Sequence, residues 1–423
     1  MPSPLATDQA RDSVRDGLSS LSSLSSFSLA APPADFVTCP YPYYEALQQH
    51  APLHLLPGNG PPSVLLSRHA DVLAVYRSPH ASSDKQQEFG PRLGLGSPIY
   101  QHHTTSLVFS DPPLHTRVRR ILTGALSQRV VARLQTDVEQ MVEGLLSELA
   151  RKEEPDLIND FAALIPVEVI GNLLAIPHAE RGPLRQWSLD ILSALEPAPS
   201  SALLQRANRA VEDFCAALRI LVTQRRQQPG DPETDVLTRL LQGDDQGQLS
   251  EAELLHNCIF LLNAGHETTS NLIGNGVHAL LEHREQWHRL VDDASLLPTA
   301  VEELLRFESP LQFNNRLARA DLALPSGVVK AGSFVTLAIG AANRDPQAFD
   351  NPQALDVARK PNNHLAFGQG AHACSGMSVA RLEARVAIGG LLAHFPHMQL
   401  EGTPQRDSRV RFRGLSKLRV KLR

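Results

Sequence analysis

Phe367-Gly368-Gln369-Gly370-Ala371-His372-Ala373-Cys374-Ser375-Gly376 is the densest stretch of the 423-residue chain. Glycines surround a cysteine that stands directly before an apolar helical period at Ser378–His394. Gly368, Gly370 and Ala373 match a loose GxGxxA pattern, which marks a dinucleotide site only when it follows a strand in a βαβ unit. Pro361-Asn362-Asn363-His364 upstream makes no such strand. A lone cysteine is more often a buried hydrophobe than a ligand. Here backbone N–H groups at a helix start favour the thiolate, and flanking glycines let a large flat group approach the backbone. Cys374 therefore reads as a functional thiolate.

Working outward, Ser250-Glu251-Ala252-Glu253 is a capping box that opens a helix to about Leu281. It is apolar nearly all round at Cys258–Leu262, so it should run through the interior. At its midpoint stands Ala264-Gly265-His266-Glu267-Thr268-Thr269. Glycine costs about 1 kcal/mol against alanine in a helix interior, and threonines that bond back to carbonyls bend a helix. Two readings stay open here. One is a loosely packed helix with a polar edge; the other is a local bulge that exposes an acid and a hydroxyl to a cavity. His266-Glu267 begins like a zinc-protease helix, but Ser270 stands where the second histidine is required. Thr299-Ala300-Val301-Glu302, just after Pro298, is a second capping box for a short helix ended by Pro310. Glu303 and Arg306 share one face of it, and such a pair taken singly is a surface salt bridge.

Further helical periods cover Thr116–Leu126, Val130–Leu149 and Leu203–Arg226. Strands are expected at Leu53–Leu56, Val64–Ser67, Phe334–Ile339, Met398–Leu400 and Leu418–Leu422, the first two joined as a hairpin by Pro57-Gly58-Asn59-Gly60. Helices outweigh strands, and neither a repeat nor a βαβ alternation is present. The first 34 residues, with Leu18-Ser19-Ser20-Leu21 and its repeats, read as a disordered serine-rich tail. Serine interrupts any secretory core, and Asp8, Asp12 and Asp16 fit poorly with a transit peptide.

Length alone suggests about three domains. Hydrophobic residues at 42% and charged residues at 20% are ordinary for a globular chain. A net charge of −5 provides no bulk positive field for nucleic acid or anionic lipid. No apolar run approaches the ~18–20 residues that span a bilayer. Cys39, Cys215, Cys258 and Cys374 form no CxxC pair, which favours a reducing, cytoplasmic setting with the first three as buried thiols.

Phe367-Gly368-x-Gly370-x-His372-x-Cys374-x-Gly376 resembles the haem-binding loop of the cytochrome P450 family, the haem-thiolate monooxygenases. Ala264-Gly265-x-Glu267-Thr268 resembles that family's oxygen-activating motif, and Glu303-x-x-Arg306 its short-helix acid–base pair. Asn343-Arg344-Asp345-Pro346 and Asp111-Pro112-Pro113-Leu114-His115-Thr116-Arg117 are similar to segments of its soluble bacterial members. Leu114 departs from the acid that many of those members carry. The likeness runs in family order from about Phe36 to the C-terminus.

The resemblance implies a mainly α fold: one triangular domain over residues 35–423, with small peripheral β-sheets, binding haem b (iron protoporphyrin IX). It makes Cys374 the iron ligand and gives His115, Arg119, Arg316 and His372 to the haem propionates. Phe367, Gly368 and Gly376 complete the cofactor loop. Glu267 and Thr268 become the catalytic pair that organises water and delivers protons. Glu303, Arg306 and Arg344 become a buried network for folding and haem retention. The implied activity inserts one atom of O2 into a small or medium hydrophobic substrate, hydroxylation foremost.

Electrons would come from NAD(P)H through a separate ferredoxin or flavodoxin-type donor with its reductase, since the chain carries no such module. Arg117, Arg120, Arg381 and Arg385 are candidates for that donor's docking patch. Substrate-pocket candidates are Leu262, Asn263, Ala264 and Asn314, together with Ser82–Val108 and Trp187–Leu204; His102, His103, Asn263 and Asn314 are possible polar anchors. The implied protein is a cytoplasmic monomer without nucleic-acid or membrane partners. An inactive haem-thiolate binding protein and a peroxide-using peroxygenase are the alternatives.

Overall fold

Long amphipathic and apolar periods make helices the main element of the computed structural model, which describes residues 24, 26–58, 60–126, 128–232, 235–243 and 247–423. In chain order the helices begin with α1 (Tyr41–His50), α2 (His69–Arg77), α3 (Gln86–Leu93), α4 (Pro98–Thr105) and α5 (Leu114–Ala125). Next come α6 (Gln128–Leu149), α7 (Leu164–Leu173), α8 (Leu184–Ser193), α9 (Ser201–Gln227) and α10 (Val236–Gln242). The last are α11 (Glu251–Glu282), α12 (Arg284–Asp292), α13 (Leu297–Phe307), α14 (Ile339–Ala342) and α15 (Met377–His394).

Two compact units divide the chain. The first holds the residues up to Ser82, Asn275–Ala373 and His397–Arg423. Its five-stranded sheet has the order β1 (Leu53–Leu56), β2 (Ser63–Leu66), β7 (Phe334–Ala338), β4 (Phe313–Ala318), β3 (Ala81–Ser82). β1 and β2 pair antiparallel as the hairpin signal requires, and β2 runs parallel to β7 with Val64 opposite Val335. Val64, Leu66, Val335 and Leu337 are buried on that ladder, which is where β-branched and leucine side chains pack well. Three two-stranded ladders join β5 (Leu322–Leu324) to β6 (Gly327–Val329), β8 (Gln399–Leu400) to β11 (Val420–Lys421), and β9 (Gln405–Arg406) to β10 (Leu415–Lys417).

An aromatic core of Phe36, Tyr43, Tyr44 and Phe313 lies in the first unit. Leu24, Phe27 and Leu29 are buried in this same core, with Phe27 5.4 Å from the Phe36 ring. The expected disorder up to residue 34 therefore does not extend through Phe27 and Leu29, whose apolar groups find a hydrophobic surface to cover. The remainder of that expectation, residues 1–23 and 25, lies outside the described residues.

The second unit, Ser83–Gly274 and Cys374–Pro396, is helical. α15 packs on α6 so closely that a Cβ on Gly390 would stand 2.7 Å from Leu146 Cδ1. The capping box of α11 is reciprocal: the Glu253 N–H donates to Ser250 Oγ at 3.3 Å, and the Ser250 N–H donates to Glu253 Oε2 at 2.8 Å. The second expected box does not form. α13 starts three residues earlier, with Leu296 as N-cap and Pro298 in its first turn, and Thr299 Oγ1 donates to the Leu296 carbonyl at 2.9 Å instead. No described helix is long and apolar enough to cross a membrane.

Candidate active site

α11 is an unbroken α-helix through its midpoint, so of the two open readings the bulge is absent. Gly265 is there for packing: a Cβ would sit 3.0 Å from Ile170 Cδ1 of α7. Leu262 and Asn263 are buried, yet Ala264 is exposed and Thr268, one turn later, is half-exposed. That i, i+4 pair lines an open stripe on a helix whose other midpoint residues are buried or half-buried. Thr268 Oγ1 donates to the Ala264 carbonyl at 2.7 Å, which leaves the hydroxyl oxygen's lone pairs free to accept. Glu267 points away from this stripe. It is 3% exposed and accepts from Asn271 Nδ2 at 2.8 Å, so burial, not exposure, is the fate of the acid. The Arg185 guanidinium of α8, whose pKa burial lowers, is sustained by the charges of Glu267 and Asp156.

Cys374 is a free, half-buried thiol two residues before Gly376, the N-cap of α15. Burial raises its pKa, and the Gly376 N–H, Arg119 and Arg381 act in the opposite direction without overcoming it. The helix-start argument thus names the right contributors but not the net sign: an uncoordinated Cys374 stays a thiol, and a cation at the sulfur is needed to hold the thiolate. Cys215 and Cys258 are buried thiols; burial pushes Cys258 up to about 12. His115 on α5 is 3% exposed, and Arg119 is one turn further along the same helix.

The other site candidates belong to the first unit. Gly368 and Gly370 both have positive φ, +64° and +72°. A Cβ on Gly370 would stand 2.3 Å from the Tyr76 carbonyl oxygen, so the group admitted closest to this glycine is the end of α2. Gly376, in contrast, has nothing within 4 Å of a would-be Cβ. Tyr76 also lies beneath Arg316, whose guanidinium is 5.4 Å from its ring. Arg316 donates to Asn314 Oδ1 at 3.2 Å and to the Asn315 carbonyl at 2.8 Å. Asn314 Nδ2 donates to Tyr76 Oη at 3.4 Å, so its amide serves this internal array. Phe367 is half-buried with His364 at 5.9 Å, and His372 ends a short 3-10 turn. Sequence reasoning missed Tyr76 beside Arg316 in the first unit and Arg185 near Glu267 in the second, because neither stands in a motif and only packing within each unit places them there.

Glu303 and Arg306 are completely buried, joined by bonds of 2.7 and 2.8 Å. The second arginine on this acid is Arg359, at 3.0 Å. Arg344 instead donates twice to the Phe307 carbonyl and lies 3.7 Å from the Phe307 ring. In the basic patch, Arg117 is committed to Glu253 and to the Gln248 carbonyl, while Arg385 is exposed.

A family model described as Cytochrome P450 matches residues 184–421. Cytochrome P450 CYP107DY1 of Priestia megaterium is 36% identical over 85% of this chain and 89% of its own length. The 6-deoxyerythronolide B hydroxylase of Saccharopolyspora erythraea is 35% identical with the same two coverages. The solved structure of P450BioI in complex with hexadec-9Z-enoic acid ligated acyl carrier protein matches with a TM-score of 0.86 at 32% identity. It covers 92% of this chain and 99% of that one.

Proposed function

The chain belongs to the cytochrome P450 family, and we propose that it hydroxylates a hydrophobic small molecule with electrons taken from a separate redox protein. As a family member it is a haem-dependent monooxygenase. Bound haem supplies the iron at which O2 is activated for transfer of one oxygen atom. The donor set here fits that group. Cys374 offers one soft sulfur, half-buried, faced by the Gly376 N–H and two arginines that favour its anionic form. Open space beside Gly376 leaves room for a flat ligand.

This half-buried, cation-flanked sulfur is the observation that carries the reading. We assign Cys374 to the iron, with His115 and Arg119 of the second unit compensating buried carboxylates. Arg316, Phe367, Gly368 and His372 of the first unit are assigned by motif to the same cofactor. Thr268 would accept a hydrogen bond from water on the open stripe while its own O–H donates to the Ala264 carbonyl. Glu267, buried on the far side of the helix and held by Asn271, is assigned by motif to the same proton supply. Ala264 presents apolar surface on the open stripe, which suits a hydrophobic substrate. An acidic electron donor would dock through the arginines of α5 and α15, of which Arg385 is exposed.

Purified protein, reduced under carbon monoxide, is expected to show the red-shifted Soret band of thiolate ligation. Its absence in folded, haem-loaded protein, or its survival in Cys374→Ala, would refute the assignment of Cys374. Titration of a compound library, read as loss of the iron's water ligand, identifies the substrate class. Charge reversal at Arg120 and Arg385 should slow electron transfer and weaken its salt dependence; unchanged rates would remove the docking patch.

A further inference from the structure

His102 on α4 meets His256 and Asn263 on α11 in a buried polar cluster. The His102 and His256 rings are 5.6 Å apart, and His102 Nε2 lies 3.5 Å from Asn263 Nδ2. The three side chains are 2%, 9% and 3% exposed. Three of their polar atoms have no hydrogen-bond partner: His102 Nδ1, His256 Nδ1 and Asn263 Oδ1. Such groups are costly in a folded interior, and several together in one place mark a site that sacrifices stability for binding.

The cluster is not what holds α4 in place. The Ile99 N–H donates to Asn208 Oδ1 and the Leu107 N–H to Asn257 Oδ1, each at 2.9 Å. Asn257 also spends its amide nitrogen, on the Glu253 carbonyl at 2.7 Å. Asn257 is therefore a structural amide, whereas Asn263 six residues later keeps its oxygen unused. Among the described residues no group of three or more histidine, cysteine or acidic side chains is arranged to hold a metal.

Hydrogen-bond counting defines the missing partner. A neutral imidazole has one donor and one acceptor, and the His102–Asn263 contact uses one of each whichever way the amide is assigned. Because the amide carries two N–H groups, the two residues are left with an unused acceptor and at least one unused donor. A hydroxyl satisfies both from a single atom. A carboxylate cannot donate, and it would find no buried cation here: Arg219, the charge felt by His256, is exposed and stands 3.6 Å from Glu251. Burial and the neighbouring His103 and His256 hold His102 well below its ordinary pKa, so it stays neutral.

We propose that His102 and Asn263, with His256 beside them, bind an uncharged hydroxyl of the substrate, remote from the carbon that is oxidised. This rests on the monooxygenase reading. Asn263 adjoins the exposed Ala264 and stands about 7.5 Å along the helix from Thr268. The substrate class is then a hydrophobic alcohol rather than a fatty acid or a plain hydrocarbon.

The test uses holoenzyme whose carbon monoxide band has first been recorded. Dodecanol, dodecyl methyl ether, dodecanoic acid, testosterone and testosterone methyl ether are titrated by calorimetry. At least one alcohol should bind about tenfold tighter than its ether, and the acid should bind more weakly than dodecanol. Asn263→Leu and His102→Phe should each shrink the alcohol-to-ether ratio below about threefold while leaving ether binding intact. Ligand-free Asn263→Leu should melt no lower than the parent, whereas a structural asparagine would lower the melting temperature. Equal binding of alcohols and ethers, tighter binding of the acid, a ratio that survives both variants, or no binding of either alcohol would overturn the proposal. With the carbon monoxide band present, each of those failures leaves the monooxygenase reading standing; a missing band overturns both.

Discussion

Glu303→Gln exchanges one oxygen for an amide nitrogen and removes one charge from a fully buried position. Oε1 accepts from Arg306 Nη2 at 2.8 Å, the Asp356 N–H at 3.0 Å and Arg359 Nε at 3.1 Å. Oε2 accepts from Arg306 Nε at 2.7 Å, Arg359 Nε at 3.0 Å and Asn362 Nδ2 at 3.1 Å. Every neighbour is a donor, so the new NH2 group meets only donors at either position, and two guanidinium groups lose their counter-ion. Removing one partner of a buried pair costs about 3–5 kcal/mol, against a total stability on the order of 5–15 kcal/mol.

Unfolding entropy of about 2.1 cal/mol/K per residue gives roughly 0.9 kcal/mol/K for the whole chain, so the melting temperature should fall by about 3–6 °C. Arg359→Gln should cost less than half as much, because Arg359 is 12% exposed and Glu303 keeps Arg306. The same change should lower haem content. Arg306 also donates to the Asn343 carbonyl, and the Asn343 side chain accepts from the Leu365 N–H at 2.7 Å, two residues before Phe367. Calorimetry with parallel urea titration measures the loss. A drop below about 1 °C at unchanged urea m-value would refute the reasoning.

Gly370→Ala should destabilise by at least about 2 kcal/mol, since its Cβ would strike the Tyr76 carbonyl at a left-handed φ of +72°. Gly376→Ala, with open space around it, should change stability by less than about 1 kcal/mol; comparable losses in urea titration would contradict the contrast. Glu383 on α15 is buried and its pKa is pushed up to about 8 by that burial. An acid raised on folding favours the folded state below its unfolded pKa of about 4.3 and loses that advantage as pH rises toward 8. Glu383→Gln should therefore stabilise the protein by roughly 3 kcal/mol at pH 7 and flatten the decline between about pH 5 and 8. A lower melting temperature for the variant across that whole range would refute it. Thr268→Ala should fold and bind substrate normally but divert electrons into hydrogen peroxide; unchanged product yield per NAD(P)H consumed would remove Thr268 from the proton path.

Much of this could be read from local chemistry. The capping box at Ser250–Glu253 and the long apolar period after it located α11 to within a residue, because both signals act within one helical turn. Cys374 stood out because glycines and a helix start surround it in sequence. β4 could not be read as a strand from its own residues, since Asn314-Asn315-Arg316 breaks the apolar alternation that marks one. Its place between β7 and β3 comes from pairing with segments distant in sequence. Gly265 left two readings open for a related reason: a glycine in a helix signals a bend or a close neighbour, and only the position of Ile170 distinguishes them.

The sequence by itself determined the helical class, the haem-thiolate resemblance and the identity of the sulfur, all of which depend on residue types at short spacings. Tertiary structure decided the electrostatics. The sign of the Cys374 pKa shift depends on how much burial opposes Arg119 and Arg381. Burial also turns Glu303–Arg306 from an ordinary surface pair into an element the fold cannot lose, and it leaves Asn263 with an unused acceptor while Asn257 has none. Desolvation depends on every neighbour at once, and neighbours from distant parts of the chain are assembled only by the fold.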